Sequence, residues 1–380
     1  MNFRRRIEGL QDRMLDLDLD LVVYGAGPNF QYLTGSLVEW RRGRDLTSPK
    51  NNVFITPEGD PVMTLDEGSK RHEDEAWIKD VRVLERKEDA REAIKGLVGD
   101  LVEEPGRVGV GEYLWGSTVL DLAVACKGAK FSKAGNLLNE IRMIKEEEEI
   151  SRLRKVAQLT EEVMEEIIPK VDRGISQRQL ALDVEMEGRE RGARDVSFPS
   201  TAGYVKTGSE PTEGPFNYPP DKGLEQETSI AFDVGFVLDG YCSDWGRSMY
   251  FGRPDEDISE GYNALQNSVV ETVDEMAPGS MRVCDIYPSI EEKLDDAGYG
   301  EFLRARLKTG SVGHQIGVEV HEEPRLRPGN YTSLQEGMVF CVEPKIWDNG
   351  RYYLRVEDMV LVTSRGAEFL TTYDRNHFTL

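Results

Sequence analysis

Short apolar runs alternate with amphipathic stretches through the first third of the chain. Residues 19–24, 53–56, 62–65, 81–84 and 108–111 are apolar and strand-length, several of them closed by Gly, Pro or Asp, which predicts five strands. Between them, residues 89–103 and 118–126 repeat apolar positions at helical spacing. Strands and helices in alternation describe a small α/β domain. The pattern changes at a seam over residues 131–135. In the charged run that follows, Ile150, Leu153, Val156, Ala157, Val163 and Ile167 recur at helical spacing and predict one long helix with an inward face. The acidic block Glu146 to Glu149 is expected to be a solvated face at that helix's start, where carboxylates suit the dipole. Ser176, with Gln179 three residues on, predicts a capping box opening a second helix. From Ile230 onward the chain is strand-rich. The expectation is an α+β protein: an α/β domain over 1–132, then a domain over 140–380 in which helices precede an antiparallel sheet.

Composition narrows what such a protein does. With 380 residues, 39% apolar and 31% charged, the chain has a globular balance and the length for two domains. The formal charge of −23 repels polynucleotides and anionic membranes. MNFRRRIEGLQDRM carries no apolar run behind its arginines, and no stretch of about 18 apolar residues offers a membrane span. Cys126, Cys242, Cys284 and Cys341 are scattered without a CxxC pair, so reduced thiols and a cytoplasmic location are expected. Only 16 of the 47 basic residues are Lys; beside so many carboxylates this suggests a halophilic protein whose self-repulsion salt screens. GAGPNF at Gly25 to Phe30 lacks the third Gly of a dinucleotide loop and is taken as a turn leaving a buried strand. Trp40, Arg41 and Arg42 are taken as a solvated loop.

The candidate chemistry lies in the second domain. SIAFDVGFVLDGYCSDWGRSMYFG predicts two strands joined at Asp239-Gly240, a pair favoured in two-residue hairpin turns. If Leu238 pairs with Tyr241, opposed positions sum to 479, which sets Asp233 against Gly246 and Asp244 against Gly235. The two aspartates are then diagonal neighbours on one face, about 7 Å apart at the backbone. Facing carboxylates on a buried strand pair are costly unless a cation joins them. Alone, the pair reads equally well as a surface hairpin. GSVGHQIGVEVHEEP adds His314 and His321, two of the four histidines. A single histidine there would ordinarily be a satisfied core residue. GMVFCVEPKIWDNGRYYLRVEDMVLV again predicts strand, turn, strand, with Glu343 and Glu357 at apolar-flanked positions where a carboxylate has no packing role. A two-residue Asn349-Gly350 turn would place these glutamates on opposite faces. A three-residue Asp348, Asn349, Gly350 loop, or a bulge near Pro344, would place them on one.

Asp233 and Asp244, GHQIGVEVHEEP, VEP at 342–344 and RVED at 355–358, in that order, resemble the metal motifs of the creatinase, prolidase and aminopeptidase P family, peptidase family M24. Tyr32-Leu33-Thr34-Gly35 resembles part of that family's N-terminal domain, so the resemblance covers nearly the whole chain. It implies a creatinase-type N-terminal domain and a pita-bread catalytic domain. It also implies two divalent cations, with Asp233 on one, Asp244 and Glu357 bridging, and His314 with Glu343 completing the other. Such a pair acidifies a bridging water. Glu343 would shuttle the proton and His321 stabilise the oxyanion. Four carboxylates and one imidazole suit manganese first, with cobalt, zinc or iron as alternatives. A homodimer is the family's common state.

Two departures bear on substrate. Where peptide-cleaving members and creatinase carry Pro-His about seventeen residues before the first metal Asp, this chain has Pro215-Phe216-Asn217, and Gly246 stands where Thr often precedes Arg247. Phe216, Asn217 and Arg355 are taken as candidate substrate contacts. The leading expectation is hydrolysis of an amino-terminal Xaa-Pro peptide bond. The alternative is a small non-peptide C–N substrate such as ectoine, and the third is an inactive binding protein of the same fold.

Overall fold

The computed structural model describes residues 1–39, 50–74, 76–85, 89–216 and 218–380. They divide into two compact units, Met1–Arg142 and Met143–Leu380. Trp40, Arg41, Arg42 and Asn217 lie outside the described residues. No helix among those described is long and apolar enough to cross a membrane.

In the first unit all five expected strands form, as Leu21–Gly25, Asn52–Ile55, Val62–Asp66, Asp80–Leu84 and Arg107–Val110. A sixth, Lys130–Lys133, pairs in parallel with Arg107–Val110 at the sheet edge. Its sequence is KFSK; an edge strand needs no second apolar face, so only Phe131 betrays it. The compact unit runs on past this strand to Arg142. Ala134 and Gly135 accept bonds from Tyr24 and Asn29, and Arg142 Nη1 donates to Asn29 at 2.8 Å. The Gly-rich string opens the buried helix Pro28–Thr34, with Pro28 at its first turn where a missing N–H costs nothing.

The second unit begins with Glu147–Ile167 and Gln177–Glu190. All six residues expected on the long helix's inward face are buried. Glu149 is buried too, contrary to expectation: one carboxylate oxygen accepts from the Glu146 N–H, the other from the Tyr241 hydroxyl at 3.0 Å. Ser176 caps the second helix through Gln179 N–H, while the Gln179 side chain turns to Asp183. An antiparallel sheet follows, in which Tyr352–Thr363 lies between Val339–Val342 and Trp245–Phe251, and Thr228–Val234 and Thr201–Lys206 extend it. Alternation divides its residues cleanly. Tyr204, Ile230, Phe232, Val234, Trp245 and Met249 on one half, and Phe340, Val342, Leu354, Val356 and Val360 on the other, enter apolar cores shared with the helices. The intervening residues face the opposite side, and the candidate ligands are among them.

Candidate metal centre

The Asp239-Gly240 turn determines the first half of the site. Both residues have positive φ, 49° and 82°, the combination a type I′ turn requires. Leu238 pairs with Tyr241, and beyond a break at Gly235 and Asp244 the same register resumes, Val234 with Trp245 and Asp233 with Gly246. Gly235 sits at the break because a Cβ there would lie 2.2 Å from the Ser243 carbonyl oxygen. Asp233 therefore shares a cross-strand row with Thr201, Gly246 and Glu357.

The second half depends on the other turn. Asp348 pairs with Tyr352, so the loop is three residues long, Asn349, Gly350 and Arg351, with Gly350 at φ +84°. Of the arrangements left open, a three-residue loop forms, although it begins one residue later than Asp348. Pairs Val342–Asp358 and Lys345–Arg355 bracket Glu343 and Glu357, which places the two glutamates opposite each other. His314 comes from Gly313–Gln315, where it pairs with Cys341. Cross-strand partners project on one face, and Cys341 pairs in turn with Met359, two residues from Glu357, so both lie on the same face as the Asp233 row, in the row beside it.

Burial makes this cluster electrostatically expensive. Asp244, His314, Cys341 and Glu357 are 3%, 2%, 0% and 0% exposed, and one donor atom from each lies within 4.8 Å of all the others. Asp244 Oδ1, His314 Nε2 and Glu357 Oε1 are buried without a hydrogen-bond partner. Burial, then the neighbouring Asp233, pushes the Asp244 carboxyl well above its ordinary range. Burial does the same to Glu357, against the opposing pull of Arg355. His314 Nδ1 is 3.0 Å from the Gln315 carbonyl oxygen. A carbonyl only accepts, so the proton sits on Nδ1 and the Nε2 lone pair faces the carboxylates, the usual arrangement of a metal-binding imidazole. Buried lone pairs from two carboxylates and an imidazole, converging without donors, fit a divalent cation.

Asp233 and Glu343 are held differently. The Arg355 guanidinium pairs with Asp233, Glu343 and Glu357, and the Lys345 ammonium pairs with Glu343. Burial would raise the Glu343 carboxyl, but Lys345 and Arg355 hold it down at about 2. Gly246 makes room for this arrangement, since a Cβ there would lie 2.5 Å from Arg355 Nε. The structure thus brings all five candidate ligands onto one face, three of them in the tight cluster and two against cations. Arg355 is buried and engaged by carboxylates. The exposed His321 has its ring centroid 4.4 Å from that of His314, edge-on. Partial desolvation, then the neighbouring His314 and Arg325, lower its pKa to about 4. Phe216, 40% exposed, lies over Gly203 and meets Tyr353 edge-on at 5.1 Å between ring centroids.

Three neighbours escaped the sequence reading. Cys341 and Lys345 flank Glu343 at two residues' distance, the spacing that keeps strand neighbours on one face. Lys145, 1% exposed at its side chain, bonds Gln315 at 2.7 Å and Glu322 at 3.1 Å and so ties down the segment carrying both histidines; nothing in its local sequence marks it.

Known proteins of similar sequence and structure bear on this centre. Residues 151–364 match the model of metallopeptidase family M24, and residues 6–144 that of the creatinase/prolidase N-terminal domain. An uncharacterized peptidase of Staphylococcus aureus (strain bovine RF122 / ET3-1) is 30% identical over 238 residues, 63% of this chain; the match spans 65% of that relative's length, just under two thirds. A prolidase structure from Thermococcus sibiricus superposes with TM-score 0.84 at 25% identity, covering 100% of both chains. A dipeptidase structure from Mycobacterium ulcerans gives TM-score 0.79 at 26% identity, covering 99% of this chain and 97% of that one.

Proposed function

This chain belongs to metallopeptidase family M24, and from that premise we propose that it is a metal-dependent hydrolase of amide bonds, with an amino-terminal Xaa-Pro peptide as its substrate. The observation that carries the reading is the set of unsatisfied buried lone pairs on Asp244, His314 and Glu357, on one face of the sheet with Asp233 and Glu343. These five residues would hold two divalent cations, and four carboxylates with one imidazole suit manganese. Such ions would polarise a scissile carbonyl and acidify a water.

The remaining work falls to side chains. Glu343, kept ionised by Lys345 and Arg355, is ready to accept a proton from the attacking water and return it to the leaving nitrogen. His321, neutral at physiological pH, offers a ring N–H to the developing oxyanion. Arg355 spans Asp233, Glu343 and Glu357 and restrains three carboxylates that would otherwise repel one another. Phe216 presents an apolar wall through its contact with Gly203, two residues along the strand from Thr201, the cross-strand partner of Asp233.

That wall favours one second reading. A phenyl ring where relatives carry a substrate-binding imidazole suits a smaller or less polar substrate, a C–N hydrolysis of the ectoine type. The deciding experiment assays manganese-loaded protein on Xaa-Pro dipeptides, Xaa-Pro tripeptides and ectoine, with Glu343→Gln as the blank. Cleavage of a proline peptide that vanishes in Glu343→Gln supports the peptidase. Turnover of ectoine alone transfers the assignment to the second reading, and turnover of none by metal-loaded protein refutes both.

A further inference from the structure

We propose that Cys341 is itself a metal ligand: its thiolate completes an Asp244, His314, Glu357 and Cys341 donor set around one ion and tilts that position from manganese toward zinc or cobalt. The inference rests on the metal-dependent reading above and deepens it.

Three observations carry it. The Cys341 sulfur lies within 4.8 Å of a donor atom from each of the other three residues. Donors around a tetrahedral zinc ion stand roughly 3.5 Å apart, so small side-chain adjustments would close the set. Second, Asp244 Oδ1, His314 Nε2 and Glu357 Oε1 converge there unpartnered, each on a residue at most 3% exposed. Third, the Cys341 side chain takes no part in the apolar core behind it. Phe340 and Val342, its chain neighbours, belong to that core and Cys341 does not; it pairs with His314 across the strands and faces the carboxylates.

A buried cysteine ordinarily acts as a small apolar filler, and that role calls for apolar neighbours. Here donor atoms of Asp244, His314 and Glu357 lie within 4.8 Å of its sulfur, surroundings unfavourable to a filler and natural for a ligand once a dication is present. Binding would form one sulfur–metal bond and release the thiol proton to solvent. Arg355 pairs with Asp233, Glu343 and Glu357 and Lys345 with Glu343; within the Asp244, His314, Glu357 and Cys341 set only Glu357 meets a cation, and its Oε1 stays unpartnered, so a sulfur donor makes this the softer of the two positions. Thiolate selects zinc and cobalt over manganese.

The test is an anaerobic titration of metal-free protein with Co2+, read by absorption spectroscopy. Visible ligand-field bands report cobalt in the centre, and a near-ultraviolet sulfur-to-cobalt band reports the thiolate. Both should appear in the wild type, and Cys341→Ser should lose the sulfur band while keeping the visible ones. Visible bands without a sulfur band in the wild type would overturn the proposal and leave the metal-dependent reading standing. A sulfur band that survives in Cys341→Ser would assign it to another cysteine and overturn the proposal as well. Absence of any cobalt band would refute the metal centre itself.

Discussion

Replacing Arg247 with leucine removes a cation buried behind the metal row. Its guanidinium contacts Asp358 at 2.5 Å with both side chains 0% exposed, and also donates to the carbonyls of Gly246 and Glu357. Asp358 retains the Thr371 hydroxyl at 2.7 Å and, more weakly, Arg375 at 3.5 Å. Removing one partner of a buried ion pair costs about 3–5 kcal/mol, and the weak Arg375 contact argues for the lower half of that range. For a unit of this size each kcal/mol moves the midpoint by about 2–4 °C, so a loss of roughly 6–16 °C is expected. The assay is thermal unfolding by calorimetry, which separates the transitions of two units. The double variant Arg247→Leu/Asp358→Leu supplies the control, because replacing both charges with apolar groups is often neutral and should recover most of the loss. A single variant melting within about 2 °C of wild type would refute the argument. So would a double variant no better than the single.

Two further outcomes follow from the site. Phe216→Ala should raise KM for substrates with an apolar residue by about tenfold, as apolar pocket contacts are worth about 1–3 kcal/mol; Gly203→Val, which pushes out the same ring, should match it, and unchanged KM in both would show that substrate never touches this wall. In metal-free protein the His321 ring should titrate near 4. A depressed histidine contributes stability that is fully present above the unfolded value of about 6.5 and is lost as pH falls toward 4. An NMR midpoint near the unfolded value would contradict the burial of this ring against His314.

How much of this was legible from residues depended on whether local chemistry determined register. Asp239-Gly240 admits few alternatives, so the pairing of Asp233 with Gly246 followed from the turn alone. Around Asn349-Gly350 neither loop length nor phase was legible, since a two-residue turn and a three-residue loop both suit these residues and tertiary pairing selects Asp348 with Tyr352. Lys130–Lys133 was hidden because an edge strand borrows its order from a neighbour. Glu149 lies four and seven residues before Leu153 and Val156, on the inward stripe, so periodicity placed it inward and only its acidic neighbours suggested a solvated face; what its sequence could not show is the distant Tyr241 hydroxyl that its carboxylate accepts from. The five candidate ligands were visible as motifs, whereas Cys341 and Lys345 gained meaning once the strands carrying Glu343 and His314 were aligned.

The three-residue loop at Asn349, Gly350 and Arg351 has a consequence for descent. Pairing has period two, so insertion or deletion of a single residue there would reverse one strand's facing and send Glu343 and Glu357 to opposite sides of the sheet. A lineage could exchange the loop's amino acids freely, subject to a glycine or asparagine at the left-handed position, yet change its length only in steps of two. Gene variants that differ by one codon in this loop should therefore be purged or accompanied by a compensating bulge, and such a bulge would mark the spot where an ancestor's reading of the strand was repaired.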